Sequence, residues 1–496
     1  AVMNRPLKLA IIAAGVFALL TVAAMIIVPM AIDPNTYKPQ IVKAVQDATG
    51  RTLKLDGEIS VSVFPWLGAK VRGPVVLGNA ACFGDDPMLS LNDMDVKVKL
   101  MPLLSKKVEI GKIVIRNPVV NLGVQSNGRT NWDDLTGADK KLTPAEQGEG
   151  AFQEKSLGKA PEASAPMAVV VEGVEITGGT VTWDDKKGGQ WVRISNLNFE
   201  ADDLELGKTA DIALICDFLA KNPQAKGNVN LKTTAQVNLD AKQAKLDGTK
   251  MVLRLDEFKQ EARSLSSAID LATSAYVDWA KGDVNVKGLD IKLTANAAGT
   301  PAGAISLALM TTAKANWLGK SFAADSIQLN AEAKDVRLEK ADEAPLNGGV
   351  ELKSGKLSAD WGKGDLSAQS LDLKAKGQGP MIPGGSADVT LKGDMALNWL
   401  QETLALSGFS LQGLGLSVTS PKLTATGFLS KPAAQGSIDV AEFSPKKLMT
   451  SLGMEPIATT DPDALEKVAL KATLDAAGET TKIHDLTLRL DETTMT

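Results

Sequence analysis

The chain has 496 residues, 4% aromatic residues and a net charge of −5, and it exceeds the size at which one hydrophobic core keeps growing. More than one domain is therefore expected. Without a basic stripe, nucleic-acid binding loses its main electrostatic contribution, and that class of partner is excluded. Cys82 and Cys216 lie far apart and lack metal-ligand spacing, so we expect two small buried apolar residues. Whether they pair stays open at this point.

The first predicted element is an uncharged apolar segment over residues 9–32 that follows two basic residues. As a helix it is about 36 Å long, enough to cross an apolar bilayer core of about 30 Å. A cleaved signal peptide is the rival interpretation, but the segment is long, and Pro29 would occupy position −3 of a cut after Ala31. We expect an uncleaved anchor, with residues 1–8 in the cytoplasm and everything after Asp33 exported.

A short amphipathic helix is predicted next, with Asp33 as N-cap, Pro34 in the first turn and Gly50 as the stop. Its apolar face either packs across one end of the following sheet or shapes an entrance at the bilayer surface. Alternating strands begin after it and include a strong turn signal at Asn127-Gly128. The predicted membrane-entry residues are Tyr37, Ile41, Val45, Phe64 and Trp66.

Most of the remaining chain repeats a two-strand pattern about forty residues long. Tryptophans at positions 279, 317, 361 and 399 are each followed five residues later by a run that is apolar at its positions 1, 3, 6 and 8. The same template fits residues 108–115, 192–199, 244–251 and 481–488. The repetition predicts an antiparallel meander with one apolar face.

The spacing of this template requires a β-bulge. Two alternating pairs separated by two residues would otherwise face opposite sides of the strand. The inserted positions carry residues that tolerate a positive φ, as at Asn196, Gly248, Gly288 and Gly408. The residues predicted to line a lipid groove on the apolar face are Val284, Val286, Leu289, Ile291, Phe322, Ile327, Leu329, Leu366, Leu371, Leu373, Leu404, Leu406, Phe409 and Leu411.

Something must cover this face. Leaving it wet would forfeit on the order of 30 kcal/mol at roughly 2 kcal/mol per large side chain, more than the ~5–15 kcal/mol stability of a domain. The helical candidates after residue 167 are residues 257–279 and 443–453. The sheet therefore either closes on itself as a sandwich or barrel, or holds an apolar ligand. Small inward residues such as Ala324 and Ala368 leave room for a ligand.

Signals for catalysis are weak. The one histidine, His484, stands at a bulge position of the repeat, and no Gly-rich phosphate-binding loop with a following Lys-Ser/Thr is present. Acidic pairs at Asp133-Asp134 and Asp184-Asp185 stand at predicted turns, where Asp makes local hydrogen bonds. We expect no enzyme activity, no metal site and no energy source within the chain.

The sequence resembles the AsmA family in ATGRTLKLDGEISVSVFPWLG, VKLMPLLSKKVEIGKIVIRNPVVNL and NGRTNWDDL, and again in FSPKKLMTSLGM and DPDALEKVALKATLDA. The resemblance implies an inner-membrane-anchored, periplasmic protein of Gram-negative bacteria with a chorein-like N-terminal part. It also implies a repeating β-groove, similar to that of eukaryotic bridge-like lipid-transfer proteins, that carries phospholipid toward the outer membrane.

We therefore predict a mainly β fold, in which a transmembrane helix precedes an elongated, curled antiparallel sheet that forms a repeating β-groove with a few short helices. The predicted divisions are a cytoplasmic tail over 1–8, an anchor over 9–32, a chorein-like domain over 33–135, a flexible linker over 136–166 and a repeating groove over 167–496. The chain stops at Thr496, inside a predicted strand, and the resemblance implies that members of the family continue beyond this point.

The expected partners are membrane lipids and the inner membrane, reached through residues 9–32. Outer-membrane or periplasmic proteins are the further candidates, at the end beyond Thr496. No cofactor is expected, because phospholipid is the cargo. The alternative function is a periplasmic scaffold or assembly factor for outer-membrane proteins that offers sheet edges for strand addition.

Overall fold

The structure is a computed structural model, and it describes residues 33–62, 66–99, 108–136, 169–204, 207–261, 263–299, 301–338, 344–477 and 480–496. These residues are mainly β with a few short helices, as predicted. The predicted anchor at 9–32, the membrane-entry residue Phe64 and the linker beyond residue 136 lie outside the described residues. Within the described ranges, no helix is both long and apolar enough to cross a membrane.

The chain divides into two compact units, Ala1–Gln224 and Ala225–Thr496. The first contains a 3-10 turn (Pro34–Tyr37) and the helices α1 (Lys38–Thr49) and α2 (Asp133–Thr136). Its strands are β1 (Leu53–Leu55), β2 (Glu58–Ser62), β3 (Trp66–Leu77), β4 (Leu89–Lys99), β5 (Val108–Arg116), β6 (Val119–Val124), β7 (Val169–Asp185), β8 (Gln190–Asp202) and β9 (Thr209–Lys221).

The second unit adds helix α3 (Pro445–Ser451) and a 3-10 turn (Pro383–Gly385). Its strands are β10 (Gln224–Asn238), β11 (Gln243–Gln260), β12 (Arg263–Asp278), β13 (Asp283–Ala298), β14 (Ala302–Asn316), β15 (Ser321–Arg337), β16 (Leu346–Asp360), β17 (Asp365–Gln378), β18 (Ser386–Asn398), β19 (Thr403–Gly413), β20 (Leu416–Thr426), β21 (Ala433–Phe443), β22 (Val468–Ala477), β23 (Thr480–Leu490) and β24 (Thr493–Met495).

The N-terminal helix ends at Gly50 as predicted, but Asp33 and Pro34 begin a 3-10 turn, and α1 itself starts at Lys38. The Asp33 carboxylate accepts a hydrogen bond from the Asn35 backbone N–H at 2.9 Å, and Gly50 ends α1 with φ 71°. The Asn35 side chain also exchanges two hydrogen bonds with the backbone of Ile59 in β2, at 2.9 and 3.1 Å. These bonds fix the start of the helix against the first strands.

The first unit departs from the predicted antiparallel pattern at β7. Strands β5 and β6 both pair with β7 in parallel, Ile115 opposite Ile176 and Leu122 opposite Trp183, while β8 pairs with β7 from the other side in antiparallel fashion. A parallel pair needs a long crossover connection, and residues 125–168 supply the chain between β6 and β7. Strand periodicity alone does not distinguish the two directions.

From β11 to β24 each strand pairs antiparallel with the next, which confirms the predicted meander. The candidate helix over residues 257–279 is wrong, because these residues lie in β11 and β12. Leu265, Ile269 and Leu271 lie on one face of β12, opposite residues of β11 and β13. The candidate over 443–453 is confirmed as α3, whose N-cap Ser444 accepts from the Lys447 N–H at 3.3 Å.

The predicted bulges are also confirmed. The register shifts between Val286 and Leu289 in β13, while the partner strand continues without interruption through Ala313, Thr311 and Leu309. Ala313, Thr311 and Leu309 are two residues apart and therefore lie on the same face of β14. Their partners before and after the bulge, Val286, Leu289 and Ile291, consequently share that face. The second inserted residue takes φ of 50–58° in seven of the eight copies, at Asn196, Gly248, Gly288, Ser326, Ser370, Gly408 and Asp485. In the copy at 108–115 the equivalent residue, Lys112, does not have a positive φ.

Candidate functional site

One row of side chains crosses the second unit without interruption. Every strand from β11 to β24 contributes one apolar residue to it, and each lies directly opposite the next. At about 4.8 Å per strand the row extends roughly 60 Å along the sheet. We call it the central ladder: Met251, Leu271, Ile291, Leu309, Leu329, Leu352, Leu373, Leu391, Leu411, Val418, Val440, Leu470, Leu488 and Met495.

Four of the fourteen predicted lining residues belong to the central ladder: Ile291, Leu329, Leu373 and Leu411. The other ten lie on the same face in neighbouring rows. Val284, Phe322, Leu366 and Leu404 belong to an outer row that runs nearest the turns with tryptophan. Val286 and Leu406 belong to the row beside it. The four that follow a bulge lie opposite small or hydroxyl residues: Leu289 opposite Thr311, Ile327 opposite Ser354, Leu371 opposite Gly393 and Phe409 opposite Ser420.

The face is open to solvent in the part of the unit that the structure describes. Of the predicted lining residues only Ile327 is buried, at 7% exposure, and the other thirteen are half-exposed. The buried apolar residues described in the second unit are Ala324, Ile327, Ala368 and Ala472. A sandwich buries the inner faces of both sheets. The described residues therefore provide no second protein layer over the ladder.

Hydroxyl groups next to the bulges form a feature that the sequence analysis missed. The Thr311 hydroxyl donates to the Asp325 carbonyl at 3.0 Å, and the Ser354 hydroxyl donates to the Gln369 carbonyl at 2.9 Å. Both acceptors are the first inserted residue of a bulge. These hydroxyls therefore supply hydrogen-bond donors to carbonyl groups of the bulges, beside an apolar surface. The available signal was a Thr or Ser among the alternating apolar residues of the strand that precedes a Trp turn, as at Thr311 between Leu309 and Ala313.

The four tryptophans lie in the four-residue connections 279–282, 317–320, 361–364 and 399–402, which we call the Trp turns. In each, the preceding Asn or Asp side chain accepts a hydrogen bond from the backbone N–H three residues later, as an Asx turn does. The distance is 3.0 Å for Asp278 to Lys281 and 2.7 Å for Asn398 to Gln401. The repeat thus encodes the same rigid turn in every copy.

Adjacent Trp turns are also bonded to one another. The Trp317 backbone N–H donates to the Gly282 carbonyl of the preceding turn at 3.0 Å, and the Trp399 N–H donates to the Gly364 carbonyl at the same distance. Even so, the four tryptophan residues stay 36–57% exposed. Large aromatic residues are usually well buried, so four at equivalent exposed positions form a surface feature that stability does not explain.

The predicted membrane-entry residues are placed only in part. Tyr37 and Ile41 are 51% and 40% exposed, and Val45 is half-buried. Trp66 is the first residue of β3 and lies opposite Lys99 in β4. The helix packs beside β1, which fits the predicted role of packing against the end of the sheet. Tyr37 and Ile41 stay exposed with the helix in this position.

A buried asparagine organises the NGRTNWDDL stretch. Asn131 is 1% exposed, donates to the Asn121 carbonyl at 2.7 Å and accepts from the Gly123 N–H at 3.0 Å. Arg51, 3% exposed, donates to the Asn131 carbonyl at 2.6 Å. The motif therefore holds the end of β6 against the start of the first unit.

The acidic pairs cap turns, as their positions predict. Asp133 accepts from the Thr130 hydroxyl and N–H, which lowers the pKa of its carboxyl. Asp185 accepts from the N–H groups of Lys187 and Gly188 at 2.9 and 2.8 Å. Both carboxylates have backbone partners that account for their positions.

The cysteines are free. Cys216 is buried as expected, and burial raises the pKa of its thiol. Cys82 is exposed, so the expectation that it is buried is wrong. It stands in a turn at φ 73°, outside the strands.

A long meander with a continuous, open apolar face defines a class of β-rich protein that presents hydrocarbon-compatible surface across many strands. The model of the AsmA family matches residues 3–359, and the chain belongs to the AsmA family, as the sequence stretches predict. The curated protein named Protein AsmA, from Escherichia coli (strain K12), is 27% identical over 112 residues, which cover 23% of this chain and 18% of that protein. No solved structure matches the chain.

Proposed function

We propose that the second unit carries lipids, with acyl chains laid on the apolar face so that they move without contact with water. The observation that carries this proposal is the central ladder, which runs from Met251 to Met495 without a polar member and is not covered by the described residues. Apolar surface of this extent is costly in water, and hydrocarbon covers it without needing hydrogen bonds.

Membership of the AsmA family supports a role in outer-membrane assembly or lipid transport. The proposal narrows this role to conduction of phospholipid between the inner and outer membranes. Residues 9–32 would anchor the chain in the inner membrane, with the later residues in the periplasm. Movement along the face would be passive, and its direction would be set by other components.

The bulges and Trp turns suit such a surface. The bulges keep Val286, Leu289 and Ile291 on one face, while the neighbouring hydroxyls satisfy bulge carbonyls next to the apolar surface. A sliding lipid tail then meets few unpaired polar groups. An unpaired group would cost about 1–3 kcal/mol and would hold the tail back at that point.

Photocrosslinking in cells tests the proposal. The photoreactive residue p-benzoylphenylalanine would replace Leu329 or Phe409 on the apolar face, with Gln328 or Ser410 on the opposite face as the matched control. We expect phospholipid adducts from the first pair of positions and few from the second. Polypeptide adducts at Leu329 and Phe409 without lipid would favour the scaffold function, and equal labelling of both faces would overturn the proposal.

A further inference from the structure

The apolar face of the second unit differs between its two sides. The outer row nearest the Trp turns contains the bulky residues Phe322, Leu366, Leu397 and Leu404 together with Ala315 and Ala359. A row on the other side of the central ladder contains mainly small residues from β13 to β18: Ala295, Ile305, Ala333, Gly348, Gly377 and Ala387. The same row continues as Leu255 in β11 and Ser267 in β12.

The connections on the two sides differ as well. Each Trp turn has four residues and repeats every second strand, a spacing of about 10 Å. On the other side the connections vary in length, from two residues at 414–415 to seven at 379–385 and twenty-four at 444–467. Within the described residues, the Trp side therefore carries a repeated, hydrogen-bonded turn. Such a row of turns could bind many identical ligands side by side.

The distance from the outer row to the central ladder exceeds the thickness of one leaflet. Leu366 and Leu373 are separated by a bulge, and their partners Leu397 and Leu391 are six residues apart on β18, about 20 Å at ~3.3 Å per residue. One leaflet of a bilayer contributes about 15 Å to the ~30 Å hydrocarbon core. A tail laid along the strand from a Trp turn therefore runs toward the central ladder and covers most of the distance to it.

The chemistry of the Trp turns suits the polar end of such a lipid. An indole joins an apolar ring to an N–H donor, which is why Trp concentrates where hydrocarbon meets headgroups. Charged residues stand within or next to each Trp turn in the sequence: Lys281 and Asp283, Lys320, Lys363 and Asp365, and Glu402. Lys281 and Lys363 pair with Asp278 and Asp360, while Asp283 and Asp365 accept hydrogen bonds from Asn316 and Asn398. The group that all four turns share is therefore the indole with its N–H donor.

We propose that the Trp turns bind the boundary between the headgroup and the tails of a polar lipid. Headgroups then line up on the Trp side, and tails run across the sheet toward the central ladder. This inference rests on the proposed function and adds an orientation to the cargo. It makes Trp279, Trp317, Trp361 and Trp399 equivalent binding positions, one for every two strands.

Crosslinking of the full chain in membranes tests the orientation. The residue p-benzoylphenylalanine would replace Trp361 at a Trp turn, Leu373 in the central ladder, or Met381, which is 62% exposed on the opposite side. Fragmentation of each adduct by mass spectrometry would identify the part of the phospholipid that is attached. We expect headgroup or glycerol attachment at position 361 and tail attachment at position 373.

The outcomes separate the two proposals. Headgroup attachment at position 381 as often as at 361, or tail-end attachment at 361, would overturn the orientation while tail adducts at 373 still support lipid binding. Absence of lipid at position 373 would overturn both. As a second measurement, changing all four tryptophans to Ser should lower co-purifying phospholipid about tenfold, whereas the Trp→Tyr set should retain it. Equal retention by the Ser set would also count against the inference.

Discussion

Asn398 donates from Nδ2 to the Asp365 carboxylate across 2.6 Å, and the same side chain donates to the Lys363 carbonyl at 3.0 Å. Asn316 makes the equivalent bonds to Asp283 and Lys281 two hairpins earlier, at 2.6 and 2.9 Å. One amide therefore caps its own turn and ties it to the turn before. The connections along the Trp side are held as a chain of linked turns rather than as independent loops.

The first prediction concerns this link. Asn398→Asp should lower the thermal midpoint, because it keeps the acceptor for Gln401 but places a second carboxylate beside Asp365. The expected loss is about 1–3 kcal/mol, since an N–H that bonds a charged group is replaced by a repulsive contact. The double variant Asn398→Asp, Asp365→Asn should recover most of the loss. A double variant no more stable than the single one would show that the contact is unimportant.

The second prediction separates backbone strain from packing at a bulge. Gly288 has φ 58°, and a Cβ built there meets nothing within 4 Å. Gly288→Val should therefore destabilise through its backbone alone, by roughly 1–2 kcal/mol. Gly288→Asn should be nearly neutral, because Asn196 occupies the equivalent position at φ 50°. Denaturant unfolding of the two variants checks this, and equal stability would contradict the assignment of the bulge.

The third prediction tests the apolar face by moving one charge across the sheet. Leu404→Asp should strongly reduce the phospholipid that co-purifies with the chain, because a buried carboxylate beside a lipid tail is costly. Ala405→Asp places the same charge on the opposite face and should leave the lipid content unchanged. Both residues are half-exposed, so both variants should fold. Native mass spectrometry with circular dichroism as the folding check would decide; lipid retained by folded Leu404→Asp would refute the prediction.

The fourth prediction concerns pH. The Lys281 backbone N–H holds the pKa of Asp278 below its ordinary value, and the Lys363 ammonium does the same for Asp360. A lowered pKa in the folded state stabilises the protein at neutral pH, and this stability is lost as pH falls below about 4. The double variant Asp278→Asn, Asp360→Asn should therefore lose less stability between pH 5 and pH 2 than the parent.

The repeat supplies a reason to expect that this variant folds, because Asn already stands at positions 316 and 398. The matched control is Asp240→Asn, an exposed carboxylate in the preceding connection. Thermal unfolding across the pH range measures the difference. A control that flattens the pH profile as much as the double variant would assign the effect to general charge instead.

The sequence by itself determined the repeat, the bulges and the capped helix, because these depend on local chemistry. A φ near +55° favours Gly and Asn, so Gly288 and Asn196 mark their bulges in the sequence, whereas Ser326 and Ser370 at equivalent positions do not. Period-two alternation likewise assigns Leu371 and Leu373 to one side of a bulge. The stop at Gly50 follows from the same backbone argument.

Only the tertiary structure decided which residues of different strands lie opposite one another and what covers them. The central ladder depends on register between strands that are separated along the chain, and hydrophobic alternation leaves several registers equally acceptable. The parallel pairing of β5 and β6 with β7 could not be predicted for the same reason. The alternation of apolar residues in a strand does not depend on the direction of the strand that pairs with it. Burial depends on whether a second layer is present, a property of the whole assembly of strands, so the openness of the apolar face became apparent only in three dimensions.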